Sequence, residues 1–353
     1  MRGQGDKMST QQAAYLVAKE KVEIQEVPVP VPGTDEVLVR IKTVGICGSD
    51  VHYFREGRIG EQVVTFPFIV GHEAAGIVAE TGPKVKGLLT GQKVAIDPGV
   101  PCGKCEVCLT GKPNLCLKVR FLGTPPIEGA FREYLVMPAA NLIPLPDNVT
   151  LEEGSLSEPL AVGLYATRLV SVALDDKVTI FGCGPIGLSL LLCARLAGAS
   201  TIFASDLIPE RRACAKRLGA DYVFDPKKCD PVKEILGLTQ GKGVQVTFEA
   251  AGQPETLIQA VTTAALSGRV GIVGIPIEDY WQIPSYSARR KELAFFNVRR
   301  SAFAAEKVID LMASGKMDVK GMVSHRFPLE RVAEGLQLAA EYRDGVIKAM
   351  IDI

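Results

Sequence analysis

The sequence predicts an α/β protein in which a β-rich part precedes a doubly wound parallel sheet of six strands. Three observations carry this. Val37–Thr43 (VLVRIKT) alternates apolar and polar residues, as a half-buried strand does, amid frequent glycines and prolines. After Glu158 short apolar strands alternate with helical stretches, the pattern of a crossover-connected parallel sheet. Between the first such strand and its helix lies Gly182-Cys-Gly184-Pro185-Ile186-Gly187.

In chain order, Lys177–Phe181 is the first strand of the sheet, followed by a helix over Pro185–Ala197 that ends at Gly198. Ser200–Ser205, a helix over Pro209–Leu218, Tyr222–Phe224 and Val244–Glu249 continue the alternation. A helical stretch over Pro254–Leu266 precedes Arg269–Val273, and Leu293–Val298 supplies a sixth strand. Ala302–Ser314 and Leu329–Tyr342 read as helices, and Val346–Ile351 as a closing strand. Spacing leaves two places for this tail, back on the β-rich part or as an extension of the sheet. Residues 1–10 are polar and are given no structural role.

Composition narrows the function. Lys plus Arg and Asp plus Glu both number 40, so nothing attracts a polyanion, and nucleic acid is not an expected partner. The longest apolar run, near Leu188–Ala194, is too short to span a bilayer, so no membrane role is expected. The start lacks the apolar core of an export signal. The nine cysteines are therefore expected as thiols or metal ligands in a cytoplasmic protein.

Gly182, Gly184 and Gly187 form a GxGxxG, with Pro185 and Ile186 inside it. The first glycine permits a tight turn, the second lets backbone approach a pyrophosphate, and the third lets helix and strand pack. The helix N-terminus then offers free N–H groups and a favourable dipole to the anion. Asp206 ends the next strand, 19 residues after Gly187, where a carboxylate pairs with ribose hydroxyls and repels a 2′-phosphate. NAD is the expected cofactor. Arg211 and Arg212 lie close enough to weaken that preference, and Arg211 is counted with the cofactor-binding residues.

Cys102, Cys105, Cys108 and Cys116 form C-x2-C-x2-C-x7-C. Four thiolates so spaced can close a tetrahedron on one zinc with no open position, which makes such a site structural. Two disulfides and a zinc ribbon reading nucleic acid are the alternatives; compartment and charge balance argue against them. The chain has only three histidines, so a second, mixed metal site is more natural than a three-histidine one. Cys47 and His72-Glu73 bring the thiolate, imidazole and carboxylate that suit zinc. Singly, Cys47 reads equally as a small buried apolar residue and His72 as a core histidine. Spacing alone does not bring them together.

These residues resemble the medium-chain, zinc-dependent alcohol dehydrogenase superfamily, and within it the sorbitol (polyol) dehydrogenases. The resemblance runs through CGSDVHY at Cys47–Tyr53, GRIG at Gly57–Gly60, GHE at Gly71–Glu73, the four-cysteine lobe and GTPP at Gly123–Pro126. It continues through LPDNVTLEEG at Leu145–Gly154, SEPLAVG at Ser157–Gly163, GCGPIGL, and VGI at Val273–Ile275. It implies a GroES-like catalytic domain over residues 1–157 and 300–353, interrupted by a Rossmann NAD-binding domain over 158–299, with the site in the cleft. It implies a catalytic zinc on Cys47, His72 and Glu73, with Glu158 ligating directly or through water, and a structural zinc on the four cysteines. Ser49 and His52 match a proton relay, while Tyr53, Phe121, Thr124 and Arg300 match the lining of a polyol pocket. Val273, Gly274 and Ile275 match cofactor contacts, and the resemblance implies a homo-oligomer, a tetramer.

Two departures bear on specificity. Some animal sorbitol dehydrogenases have lost the structural cysteines, whereas this chain keeps all four. Those enzymes carry a tyrosine after the pocket arginine, whereas Arg300 is followed by Ser301. The expected reaction is oxidation of a secondary hydroxyl of a sugar alcohol (sorbitol, xylitol or L-iditol type) to the ketose. The rival readings are a butanediol or threonine 3-dehydrogenase and, outside enzymes, an NAD-binding sensor with an inactive zinc site.

Overall fold

In the computed structural model, which describes residues 10–277 and 280–353, the chain divides into two compact units. One takes the residues up to Glu158 together with His325–Tyr342 and Ala349–Ile353; the other takes Pro159–Ser324 and Arg343–Lys348. Thr10, expected to have no structural role, opens a strand, Thr10–Ala18, that pairs antiparallel with Lys21–Pro28; residues 1–9 lie outside the described residues.

The first unit is organised on strand Glu36–Gly45, which extends the expected Val37–Thr43 at both ends. Val37, Val39 and Ile41 are fully buried and Arg40 is exposed, but Leu38 on the other face is buried as well, so the strand is covered on both sides at that end. The strand pairs antiparallel with Glu73–Thr81 on one side. On the other side it pairs antiparallel with Tyr134–Pro138 and, nearer its end, with Lys348–Asp352. The tail thus returns to the first sheet, and the closing strand, Lys348–Asp352, begins two residues later than the expected Val346–Ile351 and ends one residue later.

The second unit holds six parallel strands in the order Tyr222–Phe224, Thr201–Ser205, Lys177–Phe181, Val244–Glu249, Ala264–Ile272, Ala294–Asn297. The direction of winding reverses between Lys177–Phe181 and Val244–Glu249, where such sheets bind their ligands. Phe181, Phe203, Val270 and Ile272 line one face and pack with Leu257, Ala260 and Val261 of helix Pro254–Thr263.

Two expectations need correction. The helical stretch over Pro254–Leu266 stops at Thr263, and Ala264 already pairs with Val244 in the sheet. The ammonium of Lys291 closes that helix end by donating to the main-chain oxygens of Thr262 and Ala264, both at 2.8 Å. Such a cap arrives from 27 residues away, beyond any local signal. The second correction concerns the end of the sheet unit, which runs past 299 to Ser324. Helix Ala305–Ala313 belongs to this unit. Arg168 reaches the main-chain oxygen of Phe303, and the side chain of Arg217 that of Gly321.

Candidate active site

Cys47 stands at the N-cap of helix Gly48–Glu56, and Asp50 is the third residue of that helix. The fully buried Asp50 carboxylate accepts from the main-chain N–H of Cys47 and from that of Gly71, each at 2.9 Å. It thereby ties the start of the helix to the turn before His72. Its Oδ1 also lies 3.5 Å from His72 Nδ1, which fixes the ring and leaves the opposite nitrogen to a ligand. Asp50 escaped the sequence reading, although an acid three residues after an N-cap is a capping-box signal.

His72 and Glu73 are buried at the start of strand Glu73–Thr81. The register places Glu73 opposite Gly45, two residues before Cys47. Ser155 donates to the main-chain oxygen of Glu73 at 2.6 Å and steadies it from below. One ligand atom each of Cys47, His72 and Glu73 lies within 4.8 Å of the others. Sulfur, nitrogen and carboxylate oxygen in this space fit zinc. Burial works against a charged His72, yet the Asp50 carboxylate and Cys47 outweigh it and hold the imidazole well above its ordinary range. A more basic imidazole is a stronger ligand.

Glu158 is buried on helix Leu151–Leu169 and lies outside that group of three. Ser49 and His52 sit half-buried on helix Gly48–Glu56, with Tyr53 buried beside them. Phe121 packs on His72 with ring centroids 5.5 Å apart. The turn it opens brings Thr124, whose N–H donates to the Phe121 oxygen at 3.1 Å. Arg300 belongs to the other compact unit; it is half-buried and has a φ of +56°. A long side chain rarely adopts that backbone.

The four-cysteine lobe is compact. Gly103, with φ +70°, turns the chain between Cys102 and Cys105, whose sulfurs belong to one group. A short helix, Glu106–Leu109, then carries Cys108. The sulfurs of Cys105 and Cys108 are 3.3 Å apart, those of Cys105 and Cys116 3.8 Å, and all four lie within 4.8 Å. A tetrahedron with Zn–S of about 2.3 Å has edges of about 3.8 Å, so this lobe fits zinc. The N–H of Lys104, followed by the thiol and N–H of Cys105, holds Cys102 down to about 6. All nine cysteines are free thiols.

At the nucleotide turn Gly182 has a φ of +95°, and a Cβ on Gly187 would lie 1.8 Å from the Gly182 oxygen. Gly184 caps helix Pro185–Leu196, and a Cβ there would meet only the Arg211 guanidinium, at 3.6 Å. This is an open backbone cradle at a helix N-terminus, suited to a pyrophosphate. Asp206 braces it, accepting from the N–H of Cys183 at 2.7 Å and of Ile208 at 2.8 Å. Arg211 donates to the Val346 oxygen at 2.8 Å.

A residue that the sequence reading missed organises the neighbouring loops. Glu249, fully buried at the end of strand Val244–Glu249, accepts through Oε1 from the N–H groups of Ala251 and Gly252 and from Thr256. Its main-chain oxygen accepts from Val273 at 2.9 Å and Gly274 at 3.1 Å, and a Cβ on Gly252 would lie 2.4 Å from the Ile275 oxygen. Val273, Gly274 and Ile275 are thus seated on the Glu249–Gly252 turn. Burial raises the Glu249 carboxyl above its usual range, against the donors that face it.

With that geometry in view, the matches to known proteins are informative. Residues 33–147 match the alcohol dehydrogenase GroES-like domain and residues 185–314 the zinc-binding dehydrogenase family. A sorbitol dehydrogenase of Bacillus subtilis (strain 168) is 37% identical over 96% of both chains. An L-idonate 5-dehydrogenase of Vitis vinifera is 37% identical over 97% of this chain and 94% of its own. A solved Escherichia coli structure, an oxidoreductase/dehydrogenase of unknown specificity, superposes with a TM-score of 0.93 at 35% identity over 98% of this chain and 99% of its own.

Proposed function

We propose a polyol as the substrate of this chain, which belongs to the zinc-binding alcohol dehydrogenase family and is a zinc- and NAD-dependent dehydrogenase. The reaction is oxidation of a secondary hydroxyl of a sugar alcohol of the sorbitol, xylitol or L-iditol type to the ketose. The observation that carries it is the close grouping of Cys47, His72 and Glu73 in a chain similar to sorbitol and L-idonate dehydrogenases.

When bound, zinc supplies Lewis acidity at the reacting hydroxyl and the nicotinamide supplies a hydride acceptor. Cys47, His72 and Glu73 hold the metal, and Asp50 keeps His72 turned towards it. Glu158 takes up the hydroxyl proton, or Ser49 and His52 pass it outward. Tyr53, Phe121, Thr124 and Arg300 are assigned to recognition of the polyol hydroxyls; the left-handed backbone of Arg300 supports a functional constraint there. Gly182, Gly184, Pro185, Ile186 and Gly187 receive the pyrophosphate, Asp206 the ribose hydroxyls, and Arg211 with Val273–Ile275 the flanking parts. Cys102, Cys105, Cys108 and Cys116 hold a second, structural zinc.

In the same reading the protein is a cytoplasmic homo-oligomer, a tetramer. The unpaired thiols support the location. Strand Ala294–Asn297, the edge of its sheet, supports pairing with a second copy. No helix among the described residues is long and apolar enough to cross a membrane. The test is NADH formation from sorbitol, xylitol, L-iditol, 2,3-butanediol, threonine and a simple secondary alcohol. The highest kcat/KM on a polyol supports the proposal; the highest on butanediol or threonine overturns it. No turnover by the zinc-loaded protein favours a sensor.

A further inference from the structure

Cofactors that differ by a 2′-phosphate are told apart at the end of the second strand of such a sheet, where a carboxylate repels the phosphate and a nearby guanidinium attracts it. Here Asp206 supplies the carboxylate, and Arg212 brings a guanidinium to the same corner. Its Nη1 donates to the main-chain oxygen of Asp206 at 2.8 Å. Its Nη2 donates to Oδ2 of Asp225 at 2.8 Å, in an ion pair whose side chains are 16% and 15% exposed. Asp225 is itself anchored just beyond strand Tyr222–Phe224: Oδ1 accepts from the N–H of Lys227 at 3.0 Å, and its main-chain oxygen accepts from Lys228 and Cys229.

We propose that Asp225 is a specificity-determining residue that holds Arg212 out of the cofactor site. The ion pair neutralises the guanidinium and occupies one edge of its fork, while the Asp206 backbone occupies another donor. Two parallel N–H bonds to a phosphate need that fork free. A guanidinium this little exposed also resists leaving its carboxylate, because the abandoned charges would be poorly solvated. Asp206 and Asp225 thus act in series: one carboxylate faces the ribose, and the other withholds the cation that would counter it. This rests on the reading that the chain prefers NAD.

The test is fluorescence titration of the zinc-loaded protein with NADH and NADPH, alongside kcat/KM for NAD and NADP. In Asp225→Asn the affinity for NADPH relative to NADH rises about tenfold, the scale of one strong charged hydrogen bond, with NADH affinity little changed. Adding Arg212→Met to that variant removes the gain. In the otherwise unmodified protein Arg212→Met leaves the NADPH to NADH ratio as it was, since a withheld guanidinium does nothing for the phosphate. If Asp225→Asn binds NADH normally and the ratio does not move, the inference is overturned. It is also overturned if Arg212→Met alone weakens NADPH more than NADH, a result that decides the matter even where Asp225→Asn folds poorly. An unmodified protein that prefers NADPH overturns the NAD reading and this inference with it, whereas the first two outcomes leave the NAD reading standing.

Discussion

A Cβ on Gly45 would lie 2.1 Å from Oε2 of Glu73, directly across the strand pair. Only a residue without a side chain leaves room for that carboxylate where it meets Cys47 and His72. Gly45→Ala pushes away the free end of Glu73 and leaves the strands paired. The expected result is a fall of about 10- to 100-fold in activity or in zinc affinity of the catalytic site, with Tm little changed. Zinc analysis and thermal unfolding of the same sample check this. A variant that keeps both zinc and full turnover removes Glu73 from the ligand set.

Cys105→Ser tests the structural zinc site proposed on the four cysteines. Structural zinc contributes folding energy directly, so Tm falls by on the order of 10 °C before any effect on cofactor binding appears. Bound zinc drops from about two to about one per chain. Unchanged stability with a selective loss of turnover would reverse the assignment of the two sites.

Asp206→Ala is expected to have two consequences, because the carboxylate braces the glycine turn and is proposed to face the ribose. Loss of the acceptor loosens the cradle for any dinucleotide, and loss of the charge relieves a 2′-phosphate. The kcat/KM with NAD therefore falls about 100-fold, and with NADP less, so the gap narrows. Steady-state kinetics with both cofactors decide it; an unchanged NAD preference would sink the role given to Asp206.

Arg300→Ala separates polyols from simpler alcohols. A site built to pair extra hydroxyls rejects analogues without them, and loses that discrimination when its donors go. The kcat/KM for sorbitol or xylitol is expected to fall about 100-fold, against a few-fold for a simple secondary alcohol. An equal loss on both, or a collapse of NADH affinity, assigns Arg300 to the cofactor or to a subunit contact.

Glu249 gives stability a pH dependence of unusual sign. Burial raises its folded pKa above the unfolded value, so between the two values the folded chain holds more protons. Stability from this group therefore declines as pH rises from the ordinary carboxylate range through the raised value. Glu249→Gln keeps an acceptor for Ala251, Gly252 and Thr256 and removes that decline. Tm measured against pH should be flatter in the variant; parallel curves would mean that Glu249 titrates normally.

Much of the fold was legible in the sequence because its signals are local. Lys177–Phe181, Tyr222–Phe224 and Val244–Glu249 form with the bounds their sequences predict, since each is a short stretch of three to six residues, three of them apolar, set between turn formers. The glycine turn and the four-cysteine lobe were legible because each is one continuous segment, 182–187 and 102–116, whose residue types repeat at a recognisable spacing. What only the tertiary structure decided involves residues on different elements of the fold. The register of Gly45 on Glu73 joins Cys47 to His72 and Glu73, and no periodicity encodes which strand lies beside which. Asp50 holding Gly71, Lys291 closing the helix at Thr263, and Arg212 held by Asp225 are of the same kind. Each is a hydrogen bond or ion pair between residues that separate elements bring together. A residue's type states what it can bind, but packing selects which of the available partners it meets.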